Sequence, residues 1–124
     1  MEERRPLFWV GSARRDLQQF PEAVQDLMGQ ALLDAQYGGK HPDAKPLHGF
    51  GGAGVLEIVD DEDGNTYRTV YTVRLPSGVY VLHAFQKKSR HGVRTDRHDI
   101  ELARERLRWA EVEDSARREE ERTR

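Results

Sequence analysis

Between Lys87 and Arg97 the chain holds Lys87, Lys88, Arg90, Arg94 and Arg97, with His91 among them and Asp96 as the one opposing charge. A local basic stripe of this kind is a footprint for phosphate groups. Upstream, Arg68 and Glu57 each stand inside a stretch of strand-forming residues. Cations near a carboxylate suit the metal-free cleavage of RNA. In that reaction the 2′-hydroxyl attacks the adjacent phosphorus. The protein then supplies a base, a proton donor for the leaving 5′-oxygen and cations around the charged phosphorane.

Arg68 is the first candidate for the phosphate contact, because a guanidinium can bind two phosphate oxygens at once. The structural alternative is an arginine whose stem packs on a sheet and whose head pairs with Glu57. Glu57 has the matching ambiguity: a base if burial raises its pKa, or the salt-bridge partner of Arg68. Lys87 and Lys88 end a strand, so alternation lets only one of them share the surface of Arg68. Crowded by cations, a lysine becomes a usable acid or base; otherwise the pair is a solvated strand end. His83 titrates in the right range for a base, but it sits between Leu82 and Ala84 in the most apolar strand, where a packed histidine is the plainer reading.

The RNA-contact candidates are Lys45, beside Pro46 in a long loop, and Arg90, His91, Arg94 and Arg97 in the stripe. Tyr67, with Tyr71, can stack on bases, or alternate into the core instead. The histidines, including His41, His48 and His98, show no metal-ligand spacing, so neither metal nor cofactor is expected. The run Asp60 to Asp63 lacks the ligand spacing of a calcium loop and reads as an exposed turn.

The rest of the chain must position these groups. Its 124 residues are 36% hydrophobic and 34% charged, enough for one domain with a modest core. Residues 1–112 are expected to form that domain, and the charged segment 113–124 to fray. Without cysteine there is no disulfide and no thiolate site. The net charge of -2 argues mildly against an RNA target, and the stripe argues the other way. The apolar run Leu7 to Val10 is too short for a signal peptide or a membrane span, so a soluble, cytoplasmic protein is expected.

Leu7 to Val10 reads as a first strand, and Ser12 as the cap of a helix from Ala13 to Gln19. Pro21 opens a second helix, whose stripe Val24, Leu27, Met28, Ala31, Leu32 and Ala35 is the clearest periodic signal in the chain. Gly38-Gly39 ends it, and Lys40 to Gly54 is a long connection. Strands then follow over Val55–Val59, Thr66–Leu75 and Val79–Lys88, joined by Asp-Gly and Ser-Gly turn signals that predict an antiparallel meander. A last helix starts near Arg97. The order predicts an α+β domain: an N-terminal strand, a helical hairpin, a three-stranded meander and a C-terminal helix, with the helices on one face.

This order resembles the RelE/HigB toxin superfamily, in particular its phage-derived HigB-type branch. The strings that carry the resemblance are Lys45-Pro46-Leu47, Val55-Leu56-Glu57-Ile58, Tyr67-Arg68-Thr69-Val70-Tyr71 and Val81 to Ser89, with Ile100, Ala103 and Arg106 in the last helix. It spans roughly Leu7 to Leu107. Thr95-Asp96 stands where the family usually has Thr-Pro, and Asp96 can still cap the helix. The resemblance implies a RelE-like RNase fold and the toxin of a type II toxin–antitoxin system. Its activity would be that of an mRNA interferase, a metal-independent endoribonuclease acting on the ribosome. It also implies a cognate helix-turn-helix antitoxin as partner, in a hetero-oligomer. The competing expectation is an inactive prophage-derived homologue that only binds protein or RNA.

Overall fold

Asp63 and Gly64 reverse the chain with positive φ values of 50° and 79°, the backbone of a two-residue type I′ hairpin. This tight turn sets the register of the sheet around it. The computed structural model describes residues 3–51, 54–87 and 95–124. Its elements are β1 (Leu7–Trp9), α1 (Ala13–Leu17), α2 (Glu22–Gln36), β2 (Ala44–Pro46), β3 (Val55–Glu62), β4 (Asn65–Thr72), β5 (Val79–Lys87) and α3 (Arg97–Arg122). The strands form one sheet in the order β1-β5-β4-β3-β2. β1 runs parallel to β5, and the remaining pairs are antiparallel. The architecture is α+β.

The meander expected from the sequence lies at the centre of this sheet. The hairpin holds β3 and β4 in register as far as Glu62 opposite Asn65, so Asp60 and Asp61 are strand residues opposite Tyr67 and Thr66, not part of an exposed turn. The long connection contributes β2, which adds to the far edge of the sheet and brings Lys45 opposite Glu57. Pro46 is tolerated because an edge strand needs no second ladder of amide donors.

The helices cover both faces, not one. α1 and α2 pack on the side carrying Ile58, Tyr67, Tyr71, Val79, Val81 and Ala84. α3 packs Ala103, Leu107 and Ala110 on the other side, against Val55, Val70, Tyr80 and Leu82. β5 is apolar at nearly every position from Val79 to Phe85, and a strand of that kind needs cover on both faces. A bulge in β5 leaves Leu82 without a partner in the β4 register, where Val70 faces His83 and Tyr71 faces Val81. Arg106 of α3 meets the Leu82 carbonyl from Nη1 at 3.0 Å. Its guanidinium also lies 3.0 Å from where a Cβ would stand on Gly11, whose φ is 57°. A side chain there would crowd the Arg106 guanidinium, and the left-handed backbone would strain it as well.

Two expected caps take other partners. The Ser12 hydroxyl donates to Asp16 Oδ2 at 2.6 Å and accepts from Arg106 Nη2 at 3.2 Å, and no side-chain bond caps α1. Asp96 is the residue before α3, yet its carboxylate accepts from Lys87 rather than from the helix. In both cases a cation competes successfully with the first-turn amides. α3 also continues through the charged segment expected to fray, as far as Arg122. Asp114 anchors it from within: its buried carboxylate accepts from the Ser77 amide at 2.9 Å and the Tyr80 hydroxyl at 3.1 Å. Arg117 then lies 3.8 Å above the Phe8 ring centroid, a cation–π contact that ties the next turn down. No helix among the described residues is long and apolar enough to cross a membrane.

Candidate functional site

β-sheet alternation sets the site. Val55, Glu57 and Val59 share the α3 face of β3, and Arg68 and Val70 share it on β4. Glu57 is diagonal to Arg68 and directly opposite Lys45, so three charged residues from adjacent strands stand on one face. Arg68 Nη1 donates to Glu57 Oε1 at 3.2 Å and to the Thr95 hydroxyl at 2.9 Å. Thr95 in turn donates from Oγ1 to Glu57 Oε2. Glu57 and Arg68 are each 4% exposed.

This triad lines a cavity of about 1040 Å³. Lys45, Pro46, Leu47 and His48 form one wall, and Ile100 of α3 contributes to another. Arg104 holds the Leu47 loop in place, donating to the Gly49 carbonyl at 2.9 Å and lying over the Phe50 ring. The remaining wall is acidic, with Asp43, Asp60 and Asp61. Burial pushes the Asp60 carboxyl above its ordinary value, and the nearby charges of Asp43 and Asp61 add to the effect. An anion would therefore meet cations at Lys45 and Arg68 and repulsion from the opposite rim.

The other candidates divide by location. Lys87 is 9% exposed and donates to Asp96 Oδ1 at 2.9 Å. Its partner in register is Thr66, so it stands on the face of Arg68, two residues along the ladder. Arg97 opens α3 in solvent and pairs with Glu101. Tyr67 alternates to the opposite face, buried against Phe20 with ring centroids 4.9 Å apart, and so offers no ring to a base in the cavity. His83 is 6% exposed, stacks on Phe85 and shares a 2.8 Å hydrogen bond with Asp99. Burial lowers its pKa, and the Asp99 bond pulls partly the other way. It does not line the cavity. Lys88, Arg90, His91 and Arg94 lie outside the described residues, in the segment bounded by Lys87 and Thr95.

Thr95 is the site residue that sequence reasoning passed over. It enters there only as half of the Thr-Asp pair before α3, and nothing local marks a hydroxyl that will bridge two charges from distant strands.

A family model described as Phage derived protein Gp49-like (DUF891) matches residues 15–108. The chain belongs to this family. The matched stretch carries the whole Glu57–Arg68–Thr95 arrangement, Lys45 and Lys87, so the cavity is a feature of the Gp49-like part of the chain. No curated protein and no solved structure matches.

Proposed function

We propose that this Gp49-like protein is the toxin of a type II toxin–antitoxin pair of the RelE/HigB kind, an endoribonuclease that cuts messenger RNA on the ribosome. The observation that carries the reading is the pairing of Glu57 with Arg68 and Thr95 at the wall of an open cavity large enough for a nucleotide. The resemblance to RelE/HigB toxins and membership of a phage-derived family support it.

In this reading the phosphate displaces the Glu57 carboxylate from the Arg68 fork, and Lys45 adds charge from the neighbouring strand. Glu57, released from Arg68, takes the proton of the RNA 2′-hydroxyl as the oxygen attacks phosphorus. The bond to the 5′-oxygen breaks, leaving a 2′,3′-cyclic phosphate and a 5′-hydroxyl. Lys87, which shares the face of Arg68 on the neighbouring strand, is the candidate to protonate that oxygen. A helix-turn-helix antitoxin would silence the protein in the cytoplasm.

A second reading has its own observation. Arg68 is already engaged by Glu57 and Thr95, and His83 stands apart from the cavity, which is the arrangement of a fold kept for binding rather than cleavage. Induction in growing cells separates the two. The toxin arrests growth, the arrest is relieved by the cognate antitoxin, and Arg68→Lys weakens it because charge remains but the fork is lost. Growth unaffected by the wild-type protein would favour the binding module.

A further inference from the structure

The cavity beside Glu57, Arg68 and Thr95 has cations for a phosphate, and one residue of its wall takes no part in that charge system. His48 lines the cavity three residues beyond Lys45. It is exposed, and its ring makes no hydrogen bond or ion pair with a described residue. Its backbone, by contrast, is fixed on both sides. The Leu47 amide donates to the Val55 carbonyl at 3.0 Å, which extends the pairing of β2 with β3. The Gly49 carbonyl accepts from Arg104 of α3 at 2.9 Å. Gly49 has a φ of 95°, and a Cβ on it would stand 3.3 Å from Arg104 Nη2 and 3.8 Å from Ile100, so the glycine lets the loop lie against α3. Leu47 and Phe50 are buried in the core that α3 shares. The loop is therefore docked, and the side chain between Leu47 and Gly49 is left at the cavity.

We infer that His48 stacks on an unpaired base of the RNA, next to the phosphate held by Arg68 and Lys45. This stacking rests on the reading of the cavity as an RNA site, and it names the part of the RNA taken there: a base splayed out of a single strand. Among the described residues His48 is the one aromatic ring on the cavity wall, since Tyr67 is turned to the opposite face and buried against Phe20. Three residues of chain span at most about 10 Å. Lys45 and His48 are therefore placed to meet the phosphate and the base of one nucleotide. The acidic wall of Asp43, Asp60 and Asp61 repels the phosphate, which leaves the side of Lys45 and Arg68 for the backbone and fixes how the nucleotide lies. Pro46 and Ile100 give the wall around His48 an apolar character suited to a base. An imidazole presents a flat face, and every base has a π-face to set against it, so the contact tolerates all four bases. Because the backbone of His48 is already held, little ordering cost is left for the moment of binding. Duplex RNA is excluded, since its stacked bases offer the ring no free face.

Equilibrium binding of the full chain to a single-stranded hexanucleotide with 2′-O-methyl groups tests this, because the blocked hydroxyls prevent cleavage. The same strand with one base removed at a time locates the stacked position. Wild type should lose about tenfold in affinity at one abasic position. His48→Ala should lose about tenfold on the intact strand and show no further loss on the strand abasic at that position. His48→Phe should keep the wild-type affinity. His48→Lys, which has a cation and no ring, should bind like the alanine variant. All three should melt at the wild-type temperature, because the ring bonds nothing in the fold. Binding restored by lysine and not by phenylalanine overturns the inference in favour of a charge contact, and additive losses for His48→Ala and the abasic strand overturn it as well. Binding weakened by Lys45→Ala and untouched by His48→Ala overturns the stacking alone and leaves the RNA site standing. A wild-type protein that binds none of these strands also overturns the stacking, while cleavage on the ribosome is decided separately by the ends of cellular messenger RNA.

Discussion

Arg68 and Glu57 form an ion pair with 3.2 Å between Nη1 and Oε1, each side chain only 5% exposed. A buried pair of this kind is sensitive to losing one member and tolerant of losing both. Removing one partner leaves the other charge buried without its counter-charge. Arg68→Ala or Glu57→Ala is expected to cost about 3–5 kcal/mol in urea unfolding. The double replacement Arg68→Met with Glu57→Leu should cost far less than the sum of the single changes. Additive losses would show that the two side chains do not depend on each other.

Thr95 bridges this pair, accepting from Arg68 and donating to Glu57. Thr95→Val keeps the shape and removes both bonds. A loss of about 1–3 kcal/mol is expected, with Thr95→Ser close to wild type. If valine proved as stable as threonine, the bridge would not contribute to holding the site.

His83 gives a pH dependence whose sign follows from its burial. Its folded pKa is lowered, chiefly by desolvation, with Asp99 opposing the shift. The unfolded chain, near about 6.5, then binds a proton more readily than the folded one. The stability that this difference gives is complete above about 6.5 and falls as pH drops toward the lowered folded value. Denaturant melts of wild type and His83→Gln between about pH 7.5 and about pH 5, a range that spans the unfolded value of about 6.5, should show a steeper acid loss for the wild type. Parallel curves would assign the loss to other groups.

Asp114 makes the same kind of case for the end of α3. It is 1% exposed and receives the Ser77 amide and the Tyr80 hydroxyl, while Arg118 pairs with its other oxygen at 3.2 Å. Asp114→Ala should cost about 1–3 kcal/mol by leaving two donors without an acceptor. Truncation after Glu113 should cost at least as much, measured by thermal melting. An unchanged midpoint would mean that the segment is dispensable to the fold.

The same contacts explain how far the sequence could be read. The α2 stripe, the hairpin signals and the strand holding Phe85 follow from local periodicity and turn chemistry, and the structure has them in place. The pairing of Arg68 with Glu57 was legible as one of two options, since both charges stand in neighbouring strands. The features that escaped depend on long-range contacts. Thr95 meets Glu57 across 38 positions of sequence. Asp114 meets Ser77 across 37, which turns a segment composed like a disordered tail into a docked helix. The bulge at Leu82, which brings His83 opposite Val70, leaves no mark in residue type. Continuous apolarity from Val79 to Phe85 was the signal that both sides of the sheet needed cover. Tyr67 was open between base stacking and core, and alternation against Arg68 decides for the core.

The central claim is that this protein cleaves RNA through the 2′-hydroxyl. Its most direct test is the mapping of messenger RNA ends after induction, comparing wild type with Glu57→Gln, which keeps the shape of Glu57 while removing its charge. The wild type is expected to produce new breaks within translated regions, each with a 5′-hydroxyl on one side and a 2′,3′-cyclic phosphate on the other, and Glu57→Gln should produce few of them. Messenger RNA left intact by a folded, antitoxin-free wild-type protein would contradict the claim, as would breaks that carry 5′-phosphates.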